Sequence, residues 1–313
     1  MSKISIIGAG GIGATTAFAL VQKELAREIV INDINQEKAL GEVLDIIHGN
    51  ALNSPCNIIL GSLEDTKDSD IVIITAGLAQ KPGETRLDLV DKNYKIFESF
   101  VPELAKLSPN AILLVVSNPV DILSYITYKL SGFPKERVIG SGTVLDTTRL
   151  RSLLGKYFGI DGRIVQGFVL GEHGDSEFVP WSSLTIGNMP INKFSEELKI
   201  EWDNETENVI AEDVKNAAYE VIKRKGGTAF SVAAVLTRIV EAFLKDEKTI
   251  LTVSTLLEEY KGISDTYLSV PTIVGKRGVE KVLNINLSKE EEAKFLNSAK
   301  IMKEYIDRIK ESK

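Results

Sequence analysis

Short apolar runs alternate with longer amphipathic stretches through the first half of the chain. "KISIIGAG", "EIVINDI", "DIVIITAG", "AILLVVSNP" and "RVIGSGT" are rich in Ile and Val, and each closes on Gly, Asn or Asp. Nearly continuous apolar strands of this kind suit a parallel sheet covered on both faces, because strict alternation is needed only where one face meets water. Between them "ATTAFALVQKEL" and "YKIFESFVPELAKL" carry helical spacing, and Pro102 is expected to bend or break the second. Strand and helix in turn make a βαβ series, which predicts a doubly wound sheet.

Beyond about Val144 the pattern changes. "GRIVQGFVL" and "SSLTIGNMP" read as antiparallel strands, and "NVIAEDVKNAAYEVIKRKGG" as a helix closed by glycines. The stretch "SKEEEAKFLNSAKIMKEYIDRIKESK" opens with a capping box from Ser288 to Glu291. It presents Leu296, Ala299, Met302, Ile306 and Ile309 as one apolar face. The expected architecture is α/β: a Rossmann doubly wound parallel sheet over residues 1–142, then a mixed α+β substrate-binding, catalytic domain over residues 143–313. No low-complexity linker divides them, so the boundary is a change of architecture rather than a flexible joint.

Composition narrows the classes. A hydrophobic share of 43% with 26% charged residues is that of a soluble globular protein. The net charge of -7, with no Lys/Arg cluster standing apart from acids, argues against a nucleic-acid surface. Residues Ile4 to Val21 carry no charge and could pass for a signal peptide or a membrane span. Gly8, Gly10, Gly11 and Gly13 would weaken a membrane helix at its middle, however, so a cytoplasmic protein without a membrane partner is expected. The single cysteine, Cys56, excludes an intrachain disulfide and suits a reducing compartment; "NSPCNIIL" reads as the start of a strand.

"IIGAGGIG" sets Gly8, Gly10 and Gly13 in the G-x-G-x-x-G pattern, directly after a strand and before a helix. The first glycine permits the tight turn, the second lets the backbone approach a pyrophosphate, and the third lets helix pack on strand. The helix N-terminus then offers N–H groups to the anion. Asp33 follows 20 residues after Gly13, at the end of the next strand. A carboxylate there accepts hydrogen bonds from adenosine ribose hydroxyls and repels a 2′-phosphate, so NAD is the expected cofactor and NADP is disfavoured.

Redox chemistry on a nicotinamide needs a group that exchanges the hydroxyl proton, and histidine suits it because its pKa lies near neutrality. The chain has two histidines. His48, in "LDIIHGN", lies in an apolar helical stretch and reads as structural. His173, in "VLGEHGDSEF", lies between a strand and a Gly-Asp turn, where a side chain projects into a cleft. "GTVLDTTRLR" places Asp146 and Arg149 three apart on one helix face. A simple ion pair is one reading of that spacing. In the other, Asp146 orients His173 and stabilises imidazolium, while Arg149 holds a substrate carboxylate. The loop "GLAQKPGETR" is polar, with Pro82 between Gly77 and Gly83, and suits a hinged cover that would bring Arg86 onto a developing oxyanion. No metal site is expected.

These stretches together resemble the lactate/malate dehydrogenase family from end to end. The resemblance is carried by "GAGGIG", "AQKPGETRLDLVDKN", "SNPVDIL", "SGTVLDTTRLR", "GEHGDSE" and "KGGTAF". It implies that His173 is the acid/base, Asp146 its partner and Arg149 the carboxylate anchor. It also implies Arg86 on a mobile closing loop, Asn118 beside the nicotinamide and the reacting oxygen, and Thr228 near the substrate tail. Gln80 occupies the position that resembles a substrate selector: arginine there pairs with a second carboxylate, and glutamine leaves room for a methyl. A dicarboxylate facing one anchoring arginine would keep an unpaired charge, so the implied reaction joins pyruvate to L-lactate. Malate dehydrogenation, or an NAD-binding sensor or structural role, are the alternatives. Many bacterial members are similar to homotetramers activated by fructose 1,6-bisphosphate through an arginine and a histidine. Arg151 matches the arginine, but Gln166 stands at the histidine position and carries no charge to a phosphate. Activation is therefore expected to be weak, absent or carried by Arg151 with other groups.

Overall fold

The computed structural model describes residues 2–52, 55–78 and 86–311, excepting the side chains of residues 86–88 and 311. Its first half runs β1 (Lys3–Ile7), α1 (Gly11–Gln22), β2 (Glu28–Asn32), α2 (Gln36–Asn50), β3 (Asn57–Leu60) and β4 (Ile71–Ile74). It continues with α3 (Arg86–Leu107), β5 (Ile112–Val115), α4 (Val120–Ser131) and β6 (Val138–Gly140). The second half begins with α5 (Val144–Phe158) and the short strands β7 (Val165–Gln166), β8 (Thr185–Ile186) and β9 (Met189–Pro190). Helices α6 (Ile191–Leu198), α7 (Asn204–Lys225) and α8 (Phe230–Leu244) follow. Strands β10 (Thr249–Leu251), β11 (Ser254–Leu257), β12 (Thr266–Ser269), β13 (Thr272–Gly275) and β14 (Gly278–Val282) lead to α9 (Lys289–Glu311).

Eight strands form the main sheet in the order β12-β11-β6-β5-β4-β1-β2-β3. Those from β6 to β3 are parallel, and β11 and β12 join antiparallel at the β6 edge. Both faces are covered, which is why the strands read as unbroken apolar runs. Ile4, Ile6, Ile29, Ile31, Ile71 and Ile73 pack under α1, α2 and α8, through Leu20, Val43 and Phe243 among others. Ile7, Val72, Ile74, Leu113 and Val115 pack under α3, α4 and α9, through Phe97, Ile122 and Phe295. A third core, with Leu150, Leu154 and Phe158 of α5 against Ile210 and Val214 of α7, supports the second half. The strand order reverses between β1 and β4, so their carboxyl ends open a crevice where ligands of such sheets bind.

The local expectations at the helix ends hold: Gly226 caps α7 with φ +82°, and Ser288 and Glu291 exchange the capping-box bonds at 2.7 and 3.3 Å. Two expectations need correction. Helix α3 runs through Pro102, so of the bend or break expected there the break does not occur. The carbonyl four residues earlier, which proline leaves without its helical donor, belongs to exposed Glu98. On α9 the buried face is Phe295, Ala299, Met302, Ile306 and Ile309, whereas Leu296 is 45% exposed. The larger aromatic ring at 295 fills the core, and rotates its neighbour outward. No helix among the described residues is long and apolar enough to cross a membrane.

Candidate active site

The crevice begins at Gly8, whose φ of +108° turns the chain out of β1. A Cβ there would lie 2.8 Å from both the Ala76 nitrogen and Thr75 Oγ1 at the exit of β4. A Cβ on Gly13 would lie 1.9 Å from the Gly8 carbonyl oxygen, so α1 packs on this turn at a distance only glycine allows. Gly10 differs. It is the N-cap of α1 without a side-chain cap, and nothing lies within 4 Å of where its Cβ would be. Open space therefore meets a helix N-terminus whose first N–H groups lack intrahelical partners, which is what a bound pyrophosphate requires. Asp33, just past β2, accepts the Ala9 N–H at 2.6 Å and the Asn35 N–H at 2.8 Å. The cradle thus fits a dinucleotide with a ribose beside Asp33.

His173 is fixed from three sides. Thr143, the N-cap of α5, and Thr147 within it bond the backbone of Val169 at 2.5 and 2.9 Å, and Gly171 pairs with Ser269 of β12. The His173 N–H donates to Asp121 Oδ2 at 2.8 Å, and Asp121 Oδ1 accepts from Ser254 Oγ at 2.5 Å. The ring Nδ1 lies 2.7 Å from Asp146 Oδ2, while Arg149 Nη1 donates to Asp146 Oδ1 at 2.7 Å. Both readings of the Asp146–Arg149 spacing therefore occur at once: one carboxylate serves an ion pair and orients the histidine. Asp146 is 1% exposed.

The electrostatics follow from that geometry. Burial alone would lower the His173 pKa, but the adjacent Asp146 carboxylate outweighs it, with Glu177 and Asp121 adding to it, and raises it to about 9. Burial opposes the Asp146 charge, yet His173 and Arg149 together hold its carboxyl below the usual range. Asp121 moves the other way, to about 6, because burial exceeds the help from Ser254 and the His173 N–H. The site accordingly presents a charged imidazolium and a guanidinium in a mostly buried setting, suited to an anion that accepts a proton.

The remaining expected residues are placed as follows. Asn118 is exposed just after β5, at the same sheet edge, with its backbone carbonyl held by Asn93 at 3.2 Å. Thr228 is half-buried between the glycines that end α7 and the start of α8. Gln80 lies outside the described residues, as does the side chain of Arg86, whose backbone opens α3. Arg151 is largely buried, donates from Nη2 to the Gly167 carbonyl at 3.3 Å, and has its pKa lowered by that burial. Gln166, one residue before Gly167, is exposed. His48 is exposed in the last turn of α2. Three residues that the sequence left unassigned also belong here. Asp121 carried a visible signal, an acid in the otherwise apolar "SNPVDIL". Asn93, 0% exposed, bonds the Leu78 N–H and carbonyl and the Asn118 carbonyl, and nothing in "VDKNYKI" marked it. Glu177 lies behind His173, with Oε2 4.0 Å from Nδ1.

Comparison with known proteins places the geometry in a family. Residues 2–140 match the model for the lactate/malate dehydrogenase NAD binding domain, and residues 143–313 that for the lactate/malate dehydrogenase alpha/beta C-terminal domain. L-lactate dehydrogenase 1 of Clostridium acetobutylicum is 56% identical over 308 residues, covering 98% of each chain. L-lactate dehydrogenase of Clostridium botulinum (strain Loch Maree / Type A3) is 55% identical over 306 residues, covering 98% of this chain and 96% of that one. The crystal structure of the minor L-lactate dehydrogenase from Enterococcus mundtii, in its ligands-bound form, superimposes with a TM-score of 0.94. It is 41% identical and covers 98% of both chains.

Proposed function

The chain belongs to the lactate/malate dehydrogenase family, and from that premise we infer that it is an NAD-dependent L-lactate dehydrogenase. The observation that carries the assignment of roles is the single array His173–Asp146–Arg149, joined by two contacts of 2.7 Å. When bound, NADH supplies the hydride that reduces carbon 2 of the 2-oxo acid. Gly8, Gly10, Gly13 and Asp33 hold the cofactor, with Asn118 at the nicotinamide end of the sheet edge.

Arg149 anchors the substrate carboxylate while keeping Nη1 on Asp146, so its position is fixed before substrate arrives. Protonated His173 gives the proton on Nε2 to the carbonyl oxygen as negative charge develops there. Asp146 retains the Nδ1–H, keeps the ring in the productive tautomer, and neutralises the imidazolium in the reverse direction. Arg86 is assigned to the developing oxyanion, and Gln80 and Thr228 to the wall facing the methyl group. Burial of Asp146 and the neutrality of Gln80 favour a monocarboxylate over a dicarboxylate, since a second carboxylate would need its own cation. We assign a cytoplasmic homotetramer by analogy with the family. Arg151 already serves the Gly167 carbonyl and Gln166 is neutral, which supports weak or absent activation by fructose 1,6-bisphosphate.

Steady-state NADH oxidation with pyruvate and with oxaloacetate, each with and without fructose 1,6-bisphosphate, tests the reading. A strong preference for pyruvate and little response to the bisphosphate are expected. A preference for oxaloacetate would move the chain to the malate side of its family. No turnover with either would leave a nucleotide-binding protein without this chemistry.

A further inference from the structure

Glu177 is an acid of the His173 cluster that the reaction above does not use. It is 5% exposed, and its Oε2 lies 4.0 Å from His173 Nδ1. Its other oxygen, Oε1, is buried and accepts no hydrogen bond among the described residues. A buried carboxylate with an unmet oxygen costs stability, and a role in the site is a reason to keep it. Glu177 also forms part of the wall of a groove of about 1050 Å³ that includes Trp202, Glu207, Lys215, Glu291 and Lys294. None of the cradle glycines lines that groove.

We propose that Glu177 is a positioning residue for the reaction: a second carboxylate that, once ionised, keeps the proton on His173 from behind the ring. The inference takes from the functional reading only that His173 carries the exchanged proton. Asp146 makes the direct contact, and its two oxygens are divided between His173 and Arg149. One of those oxygens is therefore engaged by a cation other than the imidazolium, and Glu177 adds a second negative charge through space. The charged groups facing the pair are Asp146 and Arg149 from α5, Lys215 from α7, and Asp121 from α4 towards the ring. Burial, reinforced by Asp146, pushes the Glu177 carboxyl well above its ordinary value, whereas His173 and Arg149 draw it back. Where Glu177 is ionised, its charge adds to that of Asp146 in holding the proton on His173, whose pKa is raised to about 9. The consequence is a working range for pyruvate reduction that extends further into alkali than Asp146 alone would give.

The chain's two histidines allow a direct test. Protein labelled with carbon-13 at histidine Cε1 is titrated by NMR, with exposed His48 as the internal reference, in wild type, Glu177→Gln and Glu177→Asp. The His173 midpoint is expected to fall by about one pH unit in Glu177→Gln, an opposite charge at such range being worth that much or more. Glu177→Asp, which keeps the charge, should retain the greater part of the wild-type value. The alkaline limb of kcat/KM for pyruvate should move with the NMR midpoint, which a purely structural role would not produce. A His173 midpoint unmoved in Glu177→Gln, or lowered equally in Glu177→Asp, overturns the proposal. Should Glu177→Gln fail to fold, Glu177→Ala takes its place against Glu177→Asp. The titration needs no turnover, so absent activity on pyruvate would refute the substrate reading alone.

Discussion

Replacing Asp146 by asparagine tests the electrostatic core of the site. The carboxylate accepts from two donors, His173 Nδ1–H and Arg149 Nη1, each at 2.7 Å. An amide has one oxygen, so it can satisfy only one of them and must turn its NH2 towards the other. In the native site His173 is raised from its ordinary value near 6.5 to about 9, a preference for imidazolium of roughly 3 kcal/mol. Without the carboxylate, burial becomes the leading influence and pulls the His173 pKa to 6.5 or below. At pH 8 the protonated form then falls from a large majority to a few per cent, and kcat/KM for pyruvate should fall by about 30-fold, the ratio of those protonated fractions. The assay is the pH profile of kcat/KM from pH 5.5 to 9.5, beside NADH affinity measured by fluorescence. The deficit should shrink as the solution is acidified, with NADH affinity little changed, because the cradle residues do not touch Asp146. A loss of equal size at every pH, or an alkaline limb still near 9, would refute the argument.

The same linkage predicts a stability effect. His173 is more basic folded than unfolded, so its contribution is fully present below about pH 6.5 and is lost as pH rises through 9. The difference in thermal midpoint between wild type and Asp146→Asn should therefore narrow from pH 6.5 to 9, as read by calorimetry. Gly10→Ala and Gly13→Ala should separate binding from folding. The first meets open space, so it should keep the wild-type midpoint and lose NADH affinity by tenfold or more. The second places a Cβ 1.9 Å from the Gly8 oxygen and should lower soluble yield and midpoint together. Asn93→Ala strips partners from the Leu78 and Asn118 backbones and should cost about 1–3 kcal/mol in denaturant unfolding, with kcat reduced as well.

Much of this molecule was legible in its sequence, and the reasons are local. The βαβ series was visible because a sheet covered on both faces needs unbroken apolar strands, and Ile4, Ile31 and Ile73 supply them. The cradle was visible because a tight turn, a close anion and a helix packed on a strand each demand glycine at a fixed offset. His173 stood out because only two histidines compete, and the other lies on a helix. What escaped was contact across long sequence separation. Asp121 meets His173 52 positions later, and Ser254 lies a further 81 positions on. No periodicity records such meetings. Leu296 was misread for a related reason, since the surroundings of a helix decide which of two adjacent apolar residues it buries. Thr143 and Thr147, which pin the Val169 backbone before His173, reach it across more than twenty positions as well.

The antiparallel addition of β11 and β12 at the β6 edge has a consequence for recombination. Ser254 and Gly140 pair across that edge, and Ser269 of β12 pairs with Gly171, two residues before His173. The glycine turn after β1 and the His173 ring are thus set by one continuous slab that the chain leaves after β6 and re-enters more than a hundred residues later. A gene cut after residue 142 would yield a fragment with an unprotected strand edge, prone to pairing with other chains. Chimeras between relatives should therefore exchange β6, β11 and β12 as a unit, with crossover points placed in the helices rather than at the change of architecture.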